Sequence, residues 1–160
     1  MKLEVGAGKN PKDGYEHLDL YPGKHIEYVC SSWNTSIEDN TVTEIYARHF
    51  FEHLDKDEAI KTIIEWKRIL SKNGVINLIV PNIIYHAQQL LMPGKSKFVN
   101  ISNFEHGLAG FYGWSAGGMQ HKMGYTKETL RQLFESFGFV VHFNTCRECD
   151  IDITLSIKDT

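Results

Sequence analysis

The chain has 160 residues, of which 42% are hydrophobic and 23% are charged. That length predicts one domain, able to bury about 70% of the surface of its unfolded chain without disulfides. Its 17 basic and 20 acidic side chains leave a net charge of −3. Because this charge gives no positive field to attract a phosphate backbone, we expect no nucleic-acid partner.

The N-terminus and the cysteine count predict a cytoplasmic protein. No stretch approaches the roughly 20 apolar residues of a membrane span, and a strand pattern stands where a signal peptide would begin. Three cysteines, an odd number, favour a reducing compartment over a disulfide framework. Cys146 and Cys149 have the spacing of half a zinc site, but no second pair completes it. We therefore interpret them as free thiols beside a turn and predict no metal site.

Short apolar runs predict four strands near the start of the chain, at residues 2–5, 17–20, 25–30 and 42–47. About ten residues separate the first two strands, barely the minimum for a helical crossover. Residues 10–14 are therefore predicted to form turns in place of a helix. One face of the sheet would then be thinly covered, and we expect a second copy of the chain, in a homodimer, to cover it.

A helical period follows these strands. Asp55 is a predicted N-cap with Glu58 three residues later, and Asn73-Gly74 is the predicted left-handed stop of this helix. A nearly continuous apolar strand at residues 75–80 ends at Pro81. A second capped helix is predicted from Thr126 to Gly138, with two strands after it at residues 139–143 and 151–157. Strands that alternate with helices are typical of an α/β fold with a mostly parallel sheet.

Residues 83–124 form an insert that carries most of the glycines and a set of aromatic side chains. Loops of this length usually serve function or are disordered, and the aromatic content argues against disorder. We expect a lid that faces the substrate; the alternatives are a cover over a sheet edge and a dimer contact. Its rings fit a cage for a cationic amine or a small core, of which the core is favoured.

The most informative pattern is Gly6-Ala7-Gly8, directly behind the first strand, followed by Asp19 at the end of the second. Backbone without side chains brings amide N–H groups close to a ligand. An acidic residue at the next strand tip accepts two hydrogen bonds from a ribose diol. The pattern indicates a site for a nucleoside cofactor, although a glycine pair alone equally fits a tight turn.

One family resemblance covers nearly the whole of residues 2–82. The segments that carry it are residues 3–8, Asp19, 37–40, 46–54 and 65–74. In order and spacing they resemble class I S-adenosylmethionine-dependent methyltransferases, above all the type 11 branch and its short bacterial members. Residues 121–126 fit these members too. The resemblance implies a Rossmann-like methyltransferase fold, with a mostly parallel sheet of about seven strands whose last strand is antiparallel. It also implies S-adenosylmethionine as the cofactor.

The same resemblance implies roles for individual residues. The cofactor-binding positions are Glu4, Gly6, Ala7 and Gly8 at the methionine part, Asp19 at the ribose, Leu20 against the adenine, Ser31 and Ser32 at the adenine edge, and Arg48 and His49 at the sulfonium. The candidate substrate-binding residues are Asn82, Tyr85 and His121. Two positions depart from the family: its third glycine is Asn10 here, and its adenine-contacting Asp is Ser31.

Methyl transfer by in-line displacement mainly requires a nucleophile held about 3 to 3.5 Å from the methyl carbon in a dry pocket. A base matters only when the acceptor is a hydroxyl or an amine that must lose a proton, and histidine suits that role near neutral pH. The candidates are His49 first and then His53; for each, a structural or surface imidazole is the alternative. Glu52 is interpreted as a local cap or ion-pair partner, because nothing in the sequence predicts its burial.

We therefore predict transfer of a methyl group to a small-molecule acceptor such as a sugar or another metabolite. A module that binds the cofactor without turnover, or acts as a regulatory partner, is an alternative that the sequence leaves open. A dinucleotide oxidoreductase is disfavoured, since the full G-x-G-x-x-G spacing is missing and the acidic residue arrives about nine residues too early.

Overall fold

A computed structural model of the protein describes residues 1–114 and 120–158. Its sheet consists of β1 (Lys2–Val5), β2 (Glu16–Asp19), β3 (Tyr28–Val29), β4 (Val42–Arg48), β5 (Leu70–Pro81), β6 (Phe139–Phe143) and β7 (Asp150–Ile157). Among the described residues the strand order is β3-β2-β1-β4-β5-β7-β6. The first five strands pair in parallel, and β7 lies antiparallel between β5 and β6. The predicted fold class is confirmed.

The helices are α1 (Lys56–Ile69), α2 (Ile83–Gln89), α3 (Asn103–Tyr112) and α4 (Lys127–Ser136). The predicted capping box of α1 is present: Asp55 accepts from the Glu58 N–H, and Glu58 accepts from the Asp55 N–H, both at 2.9 Å. Thr126 caps α4 in the same way, and Gly138 follows that helix with φ +81°. Both predicted helix starts are therefore confirmed.

The predicted end of α1 at Asn73-Gly74 is wrong. The helix ends at Ile69, and Leu70 is already extended and pairs with Val42 of β4. This strand pairing overrides the helical period. Gly74 has a packing role instead, because a Cβ there would lie 2.7 Å from Cδ1 of Leu70. The third predicted strand is also shorter than expected, since only Tyr28–Val29 of residues 25–30 pair with β2.

The hydrophobic core lies on one face of the sheet, beneath α1 and α4. Its strand residues are fully buried and alternate along β1, β4, β5 and β7: Leu3, Val5, Ile45, Ala47, Ile76, Leu78, Ile153 and Leu155. The Phe51 ring packs against both Trp66 of α1 and Phe134 of α4, with ring centroids 5.9 and 5.6 Å away. Each such side chain contributes about 1.5–3 kcal/mol through burial.

The opposite face of the sheet carries polar side chains. Glu44 accepts hydrogen bonds from the Tyr15 hydroxyl and from Nδ2 of Asn77, and Thr154 donates to Oδ1 of Asn77 at 3.0 Å. A shallow cavity of about 210 Å³ lies over these residues. No helix connects β1, β2, β3 and β4, all of which lie in the described part of the chain, and residues 10–14 form turns as predicted. This face is therefore thinly covered.

The insert contains α2 and α3, which pack against each other through buried polar residues. His86 contacts Gln89 at 3.0 Å, and Gln89 contacts His106 at 2.9 Å. The favoured aromatic core is wrong, because three of its rings are exposed: Phe104, Tyr112 and Trp114. The part of the insert at residues 115–119 lies outside the described residues, and the role of the insert as a lid stays a prediction.

Two further expectations concern the cysteines and the membrane. Cys146 and Cys149 are free thiols in the connection between β6 and β7, as predicted. Within the described ranges, no helix combines the length and the apolar character needed to cross a membrane.

Candidate cofactor and catalytic site

The tips of β1 and β2 are joined by hydrogen bonds from the glycine turn. The Gly6 N–H donates to the Leu18 carbonyl at 2.8 Å, and the Gly8 N–H donates to Oδ2 of Asp19 at 3.1 Å. Both glycines have positive φ, +72° and +58°. A Cβ at Gly6 would lie 2.5 Å from Cδ2 of Phe50, whereas a Cβ at Gly8 would meet nothing within 4 Å. Gly6 is thus required by packing, and Gly8 presents open backbone.

Asp19 retains acceptor capacity beyond the bonds that hold it. Oδ2 accepts from Gly8, and Oδ1 accepts from the Tyr21 N–H at 3.0 Å. Each carboxylate oxygen can accept about two hydrogen bonds, so each keeps one free position. Leu20, directly after the strand, is 58% exposed. An acceptor for a diol and an apolar surface for a flat ring therefore lie side by side.

Glu4 and Ser32, which were also predicted to bind the cofactor, make hydrogen bonds within the fold. Glu4 is buried, accepts from the Lys12 N–H at 2.6 Å and so holds the turn between β1 and β2. Ser32 is buried as well, and its hydroxyl is hydrogen-bonded to Thr62 of α1 at 2.8 Å. Ser31 is half-buried and Arg48, at the end of β4, is exposed.

His49 directly follows β4 in a left-handed conformation, with φ +49°. Its backbone N–H donates to the Ile79 carbonyl at 2.8 Å. Its ring lies between two carboxylates: Nδ1 is 3.4 Å from Oε1 of Glu52, and Nε2 is 3.5 Å from Oδ1 of Asp150. Each ring nitrogen of His49 therefore faces a carboxylate oxygen.

Glu52 lies in a single 3₁₀ turn, Phe51–His53, and is only 1% exposed. Neither of its carboxylate oxygens has a hydrogen-bond partner among the described residues. Its pairing with His49 is local, as expected, but its burial is not predicted by the sequence. The backbone of the chain returns over it, since the Lys122 and Met123 N–H groups donate to the Glu52 carbonyl at 2.8 and 3.1 Å.

His121 and His53 complete the surroundings of this carboxylate. Nε2 of His121 is 3.9 Å from Oε1 of Glu52, and burial lowers the pKa of the His121 imidazole. The His53 and His121 rings meet edge to face with centroids 5.0 Å apart. We call Glu52, His49, His53 and His121 the Glu52 cluster. It unites both predicted catalytic histidines with one predicted substrate residue.

Asp150 is a site residue that sequence reasoning missed. It begins β7, is buried, and its Oδ2 accepts from Nη2 and Nε of Arg147 at 2.7 and 3.1 Å. This ion pair directs the other carboxylate oxygen toward His49. The only local signal is a charged residue at the start of an apolar strand, which does not distinguish a buried acid from an exposed one.

The remaining predicted substrate residues, Asn82 and Tyr85, have contacts of their own. Asn82 caps α2, accepting from the Ile84 N–H at 3.2 Å and donating to the Glu148 carbonyl at 3.1 Å. The Tyr85 ring contacts the Phe98 ring at 5.8 Å, and burial raises the pKa of its hydroxyl. The side chain of Asn82 thus serves the junction of β5 and α2.

Comparison with solved structures finds methyltransferases. The chain is similar to the PH0226 protein of Pyrococcus horikoshii, with 12% identity and a TM-score of 0.68 over 98% of this chain and 81% of that chain. It is similar to an S-adenosylmethionine-dependent methyltransferase of Mesorhizobium loti, with 14% identity and a TM-score of 0.63 over 96% and 88%.

A third similar structure is the 1,6-didemethyltoxoflavin-N1-methyltransferase of Burkholderia thailandensis with bound 1,6-didemethyltoxoflavin and S-adenosylhomocysteine. The identity is 12% and the TM-score is 0.63, over 98% of this chain and 70% of that chain. No family model matches the chain, and no curated protein matches it. Identities this low establish a shared fold and nothing finer, so a place in the type 11 branch stays a prediction.

Proposed function

We propose that this chain, which has the fold of class I S-adenosylmethionine-dependent methyltransferases, transfers a methyl group from S-adenosylmethionine to a small-molecule acceptor. The observation that carries the proposal is the hydrogen bond from Gly8 to Asp19, which joins the first two strand tips. These tips lie at the carboxyl edge of a parallel sheet, where ligands of such folds bind. Methyl transfer to a small molecule also agrees with the net charge of −3.

The residues at the strand tips fit the cofactor. Gly8 exposes backbone for the methionine part, Asp19 has acceptor positions left for the ribose diol, and Leu20 offers apolar surface to the adenine. When bound, the cofactor would supply an electrophilic methyl carbon on its sulfonium. Because the Ser32 hydroxyl is bonded to Thr62, contacts to the adenine edge fall to Ser31 and to the backbone.

The chain's own contribution to the transfer is positioning and proton removal. His49 accepts the proton of a hydroxyl or amine acceptor, and the carboxylates of Glu52 and Asp150 stabilise the resulting imidazolium from both sides. General-base help of this kind is worth about 10²- to 10⁴-fold in rate. His53 is the weaker candidate, since its Nδ1 is engaged with the Gln120 carbonyl at 2.9 Å. Asn82, Tyr85 and His121 remain the proposed substrate-side residues.

Calorimetric titration tests the cofactor. We expect micromolar binding of S-adenosylmethionine and S-adenosylhomocysteine and none of NAD. Asp19→Ala should weaken binding by about 2–3 kcal/mol, because the diol loses its acceptor. Asp13→Ala, which removes an exposed carboxylate of the neighbouring turn, is the matched control and should bind as the wild type does.

Equal binding by Asp19→Ala and the wild type would contradict the assigned clamp, and binding of NAD alone would favour an oxidoreductase. Turnover is then measured by mass spectrometry against sugar, amine and carboxylate acceptors. Cofactor binding without methylation of any of them would favour the non-catalytic binding module.

A further inference from the structure

The buried carboxylate of Glu52 lies 3.4 Å from His49 and 3.9 Å from His121 but makes no hydrogen bond that explains its position. It is 1% exposed, and neither oxygen has a hydrogen-bond partner in residues 1–114 and 120–158. An unpaired buried charge is strongly unfavourable, and buried polar groups in proteins are otherwise almost always satisfied. Such a group without a partner points to an interaction with a ligand or ion.

The two histidines beside Glu52 are held in one tautomer. Nδ1 of His53 lies 2.9 Å from the Gln120 carbonyl, and Nδ1 of His121 lies 2.9 Å from the Gly110 carbonyl. A carbonyl oxygen only accepts hydrogen bonds, so each Nδ1 carries a proton, and the neutral form of each ring has its lone pair on Nε2. A backbone carbonyl on one ring nitrogen is the usual arrangement of a histidine that binds metal through the other.

The donor atoms are close enough to share one ion. One ligand atom each from Glu52, His53 and His121 lies within 4.8 Å of the others. Oε1 of Glu52 is 3.9 Å from Nε2 of His121. Tetrahedral zinc ligands at about 2.0–2.2 Å from the metal lie about 3.4 Å apart. Side-chain adjustments of about 1 Å would therefore bring the donors to bonding distance.

We propose that Glu52, His53 and His121 form a binding site for a divalent transition-metal ion of the zinc class. Two imidazole nitrogens and one carboxylate oxygen suit zinc and its first-row neighbours, whereas Mg²⁺ and Ca²⁺ prefer oxygen donors alone. Three protein ligands leave a coordination position for water or for an oxygen of a bound molecule, the pattern of catalytic rather than structural zinc sites.

His49 is not one of the proposed metal ligands but contacts one of them, Glu52. Its Nδ1 lies 3.4 Å from the Glu52 oxygen that also faces His121, and its Nε2 faces Asp150. A partner of this kind orients the ligand carboxylate. The site follows β4 directly, next to Phe50, whose ring packs on Gly6 of the proposed cofactor turn. The inference goes beyond methyl transfer and does not depend on it.

The test is metal binding by the full chain, prepared without a histidine tag and freed of metal with a chelator. We expect one equivalent of Zn²⁺ to bind in calorimetry, and a raised Tm in its presence. Co²⁺ should give the visible absorption of a tetrahedral N/O site without a thiolate charge-transfer band. Cobalt bound through Cys146 or Cys149 would show that band and would overturn the assignment.

Three substitutions remove one ligand each: Glu52→Gln, His53→Ala and His121→Ala. Loss of an outer partner alone typically costs about 10- to 100-fold in metal affinity, so each of these should cost at least about tenfold. His142→Ala, which removes an exposed imidazole on β6, is the matched control and should bind as the wild type does. Circular dichroism identifies the variants that fold, and His53→Ala, at a half-buried position, keeps the test decisive if a buried substitution unfolds the chain.

No stoichiometric Zn²⁺ or Co²⁺ binding by the folded wild type would overturn the proposal. Undiminished binding by the folded ligand variants would overturn it as well. Either result leaves the cofactor titrations unaffected, so failure of this inference is distinguishable from failure of the proposed methyl transfer.

Discussion

His49 combines an unfavourable backbone conformation with the central position among the candidate catalytic groups. A non-glycine residue with φ near +49° carries strain on the order of 1 kcal/mol, and such residues persist where the surrounding structure requires them. The strain arises from the backbone of His49, whereas the proposed proton transfer depends on its ring. Two substitutions at position 49 distinguish the effect of the backbone on stability from the effect of the ring on turnover.

His49→Gly should be more stable than His49→Ala by about 0.5–1 kcal/mol, because only glycine enters the left-handed region without strain. Both variants lose the imidazole and should lose methyl transfer to acceptors that must be deprotonated. Denaturant unfolding measures the first effect and turnover the second. Equal stability of the two variants would contradict the left-handed backbone, and full turnover by either would remove His49 from the mechanism.

At the residue scale, the sequence predicted contacts between residues that are close in the chain, but not contacts between residues that are far apart in it. Asp55 and Glu58 form a capping box whose partners are three residues apart, so the sequence predicts it. The burial of Glu52 depends on residues 122–123, which return to it from far along the chain. No residue near Glu52 in the sequence predicts this contact with residues 122–123.

Glu65 ties α1 to the connection between β3 and β4, which contains no helix. Its Oε1 accepts from the Thr35 N–H at 2.9 Å and hydroxyl at 2.6 Å, and Arg68 donates to both carboxylate oxygens. The Arg68 guanidinium, helped by the bonds from Thr35 and opposed by burial, lowers the pKa of Glu65 to about 2. The unfolded chain has this carboxyl near its ordinary value of about 4.3.

Because the folded pKa is the lower one, the charged carboxylate stabilises the fold above about pH 4.3 and loses that effect as the pH falls toward 2. Glu65→Gln should therefore lower the free energy of unfolding by on the order of 2 kcal/mol at pH 7 and by much less below pH 3. Urea unfolding across this range measures the difference. Glu135→Gln, at an exposed position of α4, serves as control, and a pH-independent loss in Glu65→Gln would contradict the assigned ion pair.

Among the elements, those with an apolar stripe were predictable. The starts of α1 and α4 follow from their caps and their apolar period, whereas α2 and α3 have caps, Asn82 and Ser102, without such a period. Their contact buries polar groups, His86, Gln89, Asn103 and His106, so the apolar spacing that predicts helices is missing. The end of α1 failed for another reason: the pairing of Leu70 with Val42 is a tertiary contact that local propensity does not contain.

At the scale of the whole molecule, residues 1–114 and 120–158 form a hydrophobic core on one face of the sheet and none on the other. Parallel sheets are normally covered on both faces, and here the half-buried polar residues around Glu44 and Asn77 border the open side. The predicted homodimer would cover that side. Sedimentation velocity at micromolar concentration should then show a dimer, and Tyr46→Glu, on the open face, should dissociate it; a monomeric wild type would contradict the expectation.

The fold class was predictable because it depends on the order of strands and helices, which apolar periodicity records. The glycine turn and Asp19 were predictable for a similar reason, since the turn directly follows β1 and Asp19 is the last residue of β2. The Glu52 cluster was not, because it joins residues that follow β4 with His121 from the segment before α4, and its His49 also faces Asp150 at the start of β7. Only the tertiary structure brings these three parts of the chain together.

The contact between Phe50 and Gly6 restricts how this sequence can diverge. Any side chain at position 6 would collide with the aromatic ring, so a change there is tolerated only after position 50 has become small. Homologues should accordingly show covariation of the two positions, and a homologue that pairs a bulky residue at 6 with an aromatic at 50 must route its first loop along another path.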